Sequence, residues 1–347
     1  MRLTKLAMIV AGGLAGVHLA KKAVQRTRHF DFEGRTALVT GGARGLGLIL
    51  ARELVKRGAK VAICARTRVD LDAAEAELVA MGGEILAVKC DVRNKDDVDA
   101  MVELVSDRFG PVELLFNVAG IIQVGPLDAM TMDDFRQAME THCWGVLHTV
   151  WAVLPAMRKR RWGRIVNVAS LGGKRAVPHM LPYSASKFAQ VGLSNGLRTE
   201  LLKDGIYVTT ACPSLMRTGS PRNAIFKGRH REEYTWFSIG DSLPLVSMNA
   251  EVAADQIIQA CQDGAGEVVI RGIANLGVVL QLALPNATRF ALAQIDALLP
   301  VMGGNGVQPA RGYESQSSWS PSWITHLSDE AARRNNEMHP HPLNAAE

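Results

Sequence analysis

The stretch Thr36-Ala-Leu-Val-Thr40, followed at once by Gly41-Gly-Ala-Arg-Gly-Leu-Gly47, constrains the fold of this chain more than any other segment. An apolar run of that length reads as a buried parallel strand, and the amphipathic stretch Leu48 to Lys56 reads as a helix returning over it. Between them Gly41, Gly45 and Gly47 mark a sharp turn. Glycine tolerates positive φ there and lets backbone N–H groups and a helix N-terminus approach a pyrophosphate. The spacing G-x-x-x-G-x-G departs from the commoner G-x-G-x-x-G fingerprint, so the strand–turn–helix context carries the reading. Lys60-Val-Ala-Ile-Cys-Ala65 supplies the next strand of a parallel sheet with helices on its faces.

The end of that second strand bears on the choice of dinucleotide. An acidic residue about 20 positions beyond the glycines would bind a ribose 2′-hydroxyl, whereas arginine accommodates a 2′-phosphate. Here Ala65 is followed by Arg66, and Arg44 lies inside the glycine turn. Two guanidiniums suit a dianionic phosphate through charge-assisted hydrogen bonds, which favours NADP(H) over NAD(H). The competing reading makes Arg66 and Arg68 solvated loop charges. Asp91, after Ile85-Leu-Ala-Val-Lys-Cys90, is placed either to accept from an adenine amine or to cap a turn.

Thirteen residues beyond Ser170 stands Tyr183-Ser-Ala-Ser-Lys187. Tyr183 and Lys187 are four apart on an expected helix, so both project from one face. A phenol with a reference pKa of about 10 is a poor base at neutral pH, and bringing it near neutrality takes about 3–4 kcal/mol; a nearby ammonium favours phenolate. Tyr183 is therefore assigned as general acid in reduction, or base in oxidation. Lys187 would lower the phenol's pKa, and Ser170 would donate to the substrate oxygen as charge develops. Taken singly, a helical Tyr/Lys pair is ordinarily amphipathic surface, and a serine after an apolar strand is often a helix cap.

These residues resemble the short-chain dehydrogenase/reductase family. The resemblance rests on Thr40 to Gly47, on Asn117-Val-Ala-Gly120, on Ser170 after Ile165-Val-Asn-Val-Ala169, and on Tyr183 to Lys187, and it covers about Phe32 to Arg271. It implies a single Rossmann-type doubly wound parallel sheet, a nicotinamide cofactor, and interconversion of an alcohol and a carbonyl, commonly by a homodimer or homotetramer. It implies cofactor contacts at Gly41, Arg44, Gly45, Leu46, Gly47, Arg66, Asp91, Val92, Asn117, Ala119, Gly120, Tyr183, Lys187, Pro213 and Thr218, with Lys187 holding the nicotinamide ribose. Two positions depart from the family pattern. His142-Cys-Trp-Gly145 puts histidine where an asparagine would anchor a relay water, so His142 is either a relay member or a buried histidine satisfied by its neighbours. Ser214 replaces a glycine after Pro213, which alters loop freedom ahead of Thr218.

The rest of the chain bears on substrate and location. Between Thr218 and Asn249, Phe226, Tyr234, Trp236 and Phe237 suggest an apolar ligand, a lid, or packing of their own. Leu6 to Ala20 has no formal charge apart from the interruption by His18, and lysines and an arginine flank it. It is shorter than a secure membrane span, and Gly13-Leu-Ala15 could serve as a cleavage site. The preferred expectation is a short uncleaved anchor with the catalytic domain on the cytoplasmic side, the alternative a soluble cytoplasmic protein. Four segments result: 1–30 as hydrophobic/basic anchor, 31–272 as catalytic domain, 273–302 as an apolar helical extension in the core or at an oligomer contact, and 303–347 as a loosely ordered polar tail. Five scattered cysteines read as reduced thiols without metal spacing. The net charge of +5 is densest at Arg158-Lys-Arg-Arg161, where a solvated turn explains it more simply than nucleic acid does. The leading functional expectation is an NADP(H)-dependent oxidoreductase of a lipophilic ketone, aldehyde or ketoacyl compound. A catalytically weak nucleotide-binding interaction protein of the same fold is the alternative.

Overall fold

The computed structural model describes residues 27–244, 246–270, 277, 280–281 and 283–339; the expected anchor at 6–20 lies outside the described residues. Seven parallel strands form the central sheet: β1 (Thr36–Thr40), β2 (Lys60–Ala65), β3 (Ile85–Lys89), β4 (Leu114–Asn117), β5 (Gly163–Val168), β6 (Ile206–Cys212) and β7 (Glu267–Val269). Their order across the sheet is 3-2-1-4-5-6-7. This is the doubly wound Rossmann-type arrangement expected from sequence. The order reverses between β1 and β4, which pair in parallel with Thr40 opposite Asn117. A crevice at the carboxyl ends of strands on either side of such a reversal is where ligands bind in open α/β sheets.

Both faces of the sheet are covered, which is why the strands read as unbroken apolar runs. Ala37, Val39, Val61, Ile63, Leu114 and Phe116 point to one side, where α1 (Gly45–Lys56), α2 (Arg68–Ala80) and α8 (Ala250–Gln262) pack. Leu38, Ala62, Cys64, Leu115 and Ile165 point to the other, against α3 (Lys95–Phe109), α5 (Gly145–Arg160) and α6 (Leu181–Leu201). The basic run at 158–161 is the end of α5, where Arg161 takes a left-handed conformation at φ 53° and Arg158 pairs with Asp204 at 2.9 Å.

A smaller layer sits beyond the carboxyl ends of the strands. Phe226, Tyr234 and Phe237 interlock edge to face, the last two on α7 (His230–Ser242). The carboxy-terminal extension is built onto this layer. Ala310–Arg311 pairs antiparallel with Ile225–Phe226, which pairs in parallel with Gln123–Val124. The following segment leads into α10 (His326–Arg334). Loose order was expected here from the serine-rich composition, and the structure shows why composition misled. Ser315, Ser317, Ser320 and Ser328 hydrogen-bond along α7 to His230, Thr235, Ser238 and Asp241, at 2.7–2.9 Å. The apolar helix α9 (Pro285–Asp296) has no buried residue, so within its bounds it is not the last core helix. No helix among the described residues is long and apolar enough to cross a membrane.

Candidate active site

The glycine turn leaves the carboxyl end of β1. Gly41 (φ +67°) needs its hydrogen side chain for a second reason, because a Cβ would lie 2.8 Å from the Ala119 Cα. The Thr40 hydroxyl accepts from the backbone N–H groups of Val118 and Ala119 at 3.0 and 3.2 Å. This ties the turn to the Asn117–Gly120 segment at the end of β4. Asn117 itself is buried in structural bonds: its amide donates to Asn167 at 2.9 Å and its oxygen accepts from Thr149 at 2.7 Å. Leu46 and Gly47 are buried at the start of α1.

Around the turn the charges separate into two groups. Arg68 is half exposed and pairs with Asp72 at 2.6 Å along its own helix. Arg66 is exposed too but stands among other charges: desolvation, opposed mainly by Asp91, depresses its basicity, with Arg93 and Arg44 adding repulsion. The Asp91 carboxylate accepts from the Arg93 backbone at 3.0 Å and from both sides of its guanidinium. Asp91 therefore serves as a turn cap in this structure. Val92 is buried, and its carbonyl meets His148 Nδ1 at 3.0 Å. Arg44 Nη1 is buried without a hydrogen-bond partner, 3.4 Å from Glu337 of the extension.

On the other side of the crevice, β5 delivers Ser170 and α6 delivers Tyr183 and Lys187. The Ser170 hydroxyl accepts from the Gly172 N–H at 3.0 Å and opens a short 3-10 turn, as a cap would. It also lies beside Tyr183: a Cβ added at Gly172 would meet the Tyr183 ring at 3.0 Å and Ser170 Oγ at 3.4 Å. Burial raises the Tyr183 pKa, and a hydrogen bond from Ser170 opposes the rise. Lys187 Nζ sits 5.8 Å from the tyrosine ring centroid and donates to the Val168 carbonyl and Gln190 Oε1, each at 2.9 Å. Burial pulls the Lys187 pKa down to about 7. The rise at Tyr183 and the fall at Lys187 share one leading cause, desolvation of the charged form. Gln190, three residues from Lys187 on the same helix, was not singled out from sequence although the spacing offered it.

His142 lies in a π-helical turn, Glu140–Trp144, packed edge-on against Tyr183 with centroids 5.5 Å apart. Its Nε2 accepts from the Ile121 N–H at 3.1 Å, which leaves Nδ1 to donate to Ser186 Oγ at 2.8 Å. Ser186 in turn donates to the Tyr183 carbonyl at 2.9 Å. Complete burial holds the imidazole well below its usual pKa, with Lys187 adding to the depression. Both nitrogens of a neutral ring are therefore engaged within the protein, and His142 braces the backbone of the Tyr183 turn. The Pro213 carbonyl accepts from Leu171 N–H at 2.9 Å, while buried Thr218 accepts from Ser220 N–H at 3.2 Å. Among the described residues no cluster of His, Cys, Asp or Glu could hold a metal ion.

A parallel sheet reversing over a glycine turn, with a Ser–Tyr–Lys group opposite, defines a dinucleotide-dependent dehydrogenase class of site. The short chain dehydrogenase family model matches residues 35–225, and the chain belongs to that family. It is 40% identical over 188 residues to a putative ketoacyl reductase of Streptomyces coelicolor, covering 54% of this chain and 72% of the relative. It is 34% identical over 190 residues to a 3-oxoacyl-[acyl-carrier-protein] reductase of Synechocystis, covering 54% and 77%. Among solved structures it resembles an actinorhodin polyketide ketoreductase crystallised with NADPH, at TM-score 0.62 and 33% identity, covering 69% of this chain and 96% of that one.

Proposed function

We propose that this protein is an NADP(H)-dependent reductase of a lipophilic carbonyl compound, a ketone, aldehyde or ketoacyl group. The observation that carries the reading is the convergence of Ser170, Tyr183 and Lys187 across the crevice from the glycine turn. The residues present suit a phosphorylated dinucleotide. Gly41 has no room for a side chain, Arg44 keeps a buried nitrogen without a hydrogen-bond partner, and the exposed Arg66 lies close enough to Arg44 to repel it. Arg44 and Arg66 would hold the 2′-phosphate, and the turn at Gly45–Gly47 the pyrophosphate. The bound coenzyme would supply hydride.

The chain's own groups then divide the work. Burial keeps the Tyr183 phenol protonated at neutral pH, so it is ready to give a proton to a carbonyl oxygen, which suits reduction. The Ser170 hydroxyl donates to the same oxygen as negative charge gathers on it. Lys187, poised near pH 7 by burial, returns a proton towards Tyr183 after transfer. Ile122, Val177, Leu215 and Trp236 pack, like Tyr183, partly buried against the apolar cluster around Phe226, and favour an apolar substrate. NADPH consumption measured over carbonyl compounds graded by chain length and hydrophobicity tests the proposal. Consumption that persists in Tyr183→Phe rejects the assignment. Membrane attachment through residues 6–20 is a separate proposal, overturned by a soluble mature chain beginning near Gly16.

A further inference from the structure

The extension passes over the glycine turn. Arg52 anchors its approach, donating to the Arg334 carbonyl at 2.6 Å and to Asn335 Oδ1 at 2.8 Å. The next residues then take up the donors and acceptors of the turn itself. The Gly45 N–H donates to the Asn335 carbonyl at 2.9 Å. Asn336 Nδ2 donates to the carbonyls of Ala43 and Asp70 at 2.9 and 3.0 Å. Glu337 is almost wholly buried; its Oε1 lies 2.7 Å from where a Gly45 Cβ would be, and its Oε2 is 3.4 Å from Arg44 Nη1. From across the crevice, Asn223 Nδ2 donates to the same carboxylate at 2.6 Å and to the Glu337 carbonyl at 2.9 Å.

An anionic oxygen pair at a glycine turn, opposite an arginine, is the arrangement such a turn offers to a phosphate. We propose that residues 335–339 are a self-inhibitory segment in which the Glu337 carboxylate stands in the coenzyme's phosphate site and must leave for the dinucleotide to bind. The inference rests on the NADP(H) reading above and adds a competitor for the same site.

Two features make the segment displaceable. Arg44 Nη1 is buried within ion-pair distance of Glu337 but makes no hydrogen bond, so one carboxylate satisfies the guanidinium poorly. A phosphate brings more charge and more acceptor oxygens to that nitrogen. Arg311 of the same extension is partly buried, and Arg44 and Arg66 both repel it. A second anionic group among these three guanidiniums would relieve that repulsion. The segment is tethered through α10, so it competes as an intramolecular ligand at high effective concentration. The affinity seen for coenzyme is lowered by the fraction of molecules in which the segment is seated.

Binding of NADP+ to the full chain by calorimetry, for wild type, Glu337→Ala and the milder Glu337→Gln, tests this. Loss of the carboxylate should tighten binding by at least about tenfold for Glu337→Ala and by a smaller factor for Glu337→Gln. In wild type, hydrogen exchange across 335–339 should accelerate when NADP+ is added. Equal affinities in all three proteins, weaker binding by the variants, or slower exchange on adding coenzyme overturns the proposal and leaves the NADP(H) reading intact; the last two would make the segment a clasp. Absence of NADP+ binding by wild type and variants alike overturns that reading and the inference with it.

Discussion

The central sheet and the carboxy-terminal extension are both firmly packed, but one buries aliphatic side chains and the other buries hydroxyls. In the sheet, Leu38, Val39, Ile63 and Phe116 are fully buried between helices. In the extension, Ser315, Ser320 and Thr325 are just as buried and are held by hydrogen bonds to α7 and its surroundings. Aliphatic burial tolerates some repacking because it is non-directional. A buried hydroxyl has a fixed partner, and losing it leaves an unsatisfied group. The teaching is that polar composition marks disorder only when no complementary polar surface is available to receive it.

Perturbations at the two regions should therefore differ in kind as well as size. The largest effect belongs to the proposed chemistry at the carboxyl ends of the strands: Tyr183→Phe should lower kcat by about a thousandfold with an unchanged thermal transition. A loss explained by unfolding would remove the case for a catalytic phenol. Next is the glycine turn, where a Cβ at Gly47 would collide with the Gly41 carbonyl, whereas one at Gly192 in α6 meets nothing. Gly47→Ala should cost about 3 kcal/mol or more in denaturant unfolding, and Gly192→Ala should gain about 0.5–1 kcal/mol. Similar values for the two would mean that the turn is not tightly built.

The extension should answer to pH. Burial pushes the Asp241 carboxyl up to about 7, with the Ser328 hydroxyl bond and Arg217 opposing and Glu337 assisting. Its folded pKa lies above its unfolded one. The stability it allows is thus complete below about pH 4 and is lost as pH rises towards 7. Protease resistance of residues 303–339 should fall over that range in wild type and stay flat in Asp241→Asn. In the hydroxyl ladder, Ser238→Ala and Ser320→Ala should each cost about 1–2 kcal/mol. The double variant should cost less than their sum, because the two hydroxyls bond each other at 2.7 Å; strict additivity would break the comparison. The smallest effect is expected for His142→Asn, with activity held within about tenfold. A drop beyond about a hundredfold in turnover, with folding intact, would give the imidazole a role of its own.

The sheet was legible in the sequence because parallel strands covered on both faces leave unbroken apolar runs punctuated by glycine. The pairing of Ser170 with Tyr183 and Lys187 was legible because Tyr183 and Lys187 share a helical face and Ser170 ends a strand. What could not be read was the balance of forces between them. Desolvation, which depends on everything packed around α6, raises Tyr183 and lowers Lys187. Asp91 had two sequence readings, and that its carboxylate is held by the neighbouring Arg93 was visible only in the structure. For His142 likewise, the partners of its two nitrogens, Ile121 and Ser186, were visible only in the structure.

By itself, then, the sequence determined the local chemistry: strands, the glycine turn, the spacing of Ser170, Tyr183 and Lys187, and the two arginines beside the turn. Tertiary structure alone decided that Glu337 meets Arg44, nearly three hundred residues earlier in the chain, and that a serine-rich stretch docks along α7. The physical reason is range. Periodicity and turn chemistry act over a few residues and leave their mark in the sequence. Burial and long-range pairing depend on which surfaces the folded chain brings together, and no local pattern records them.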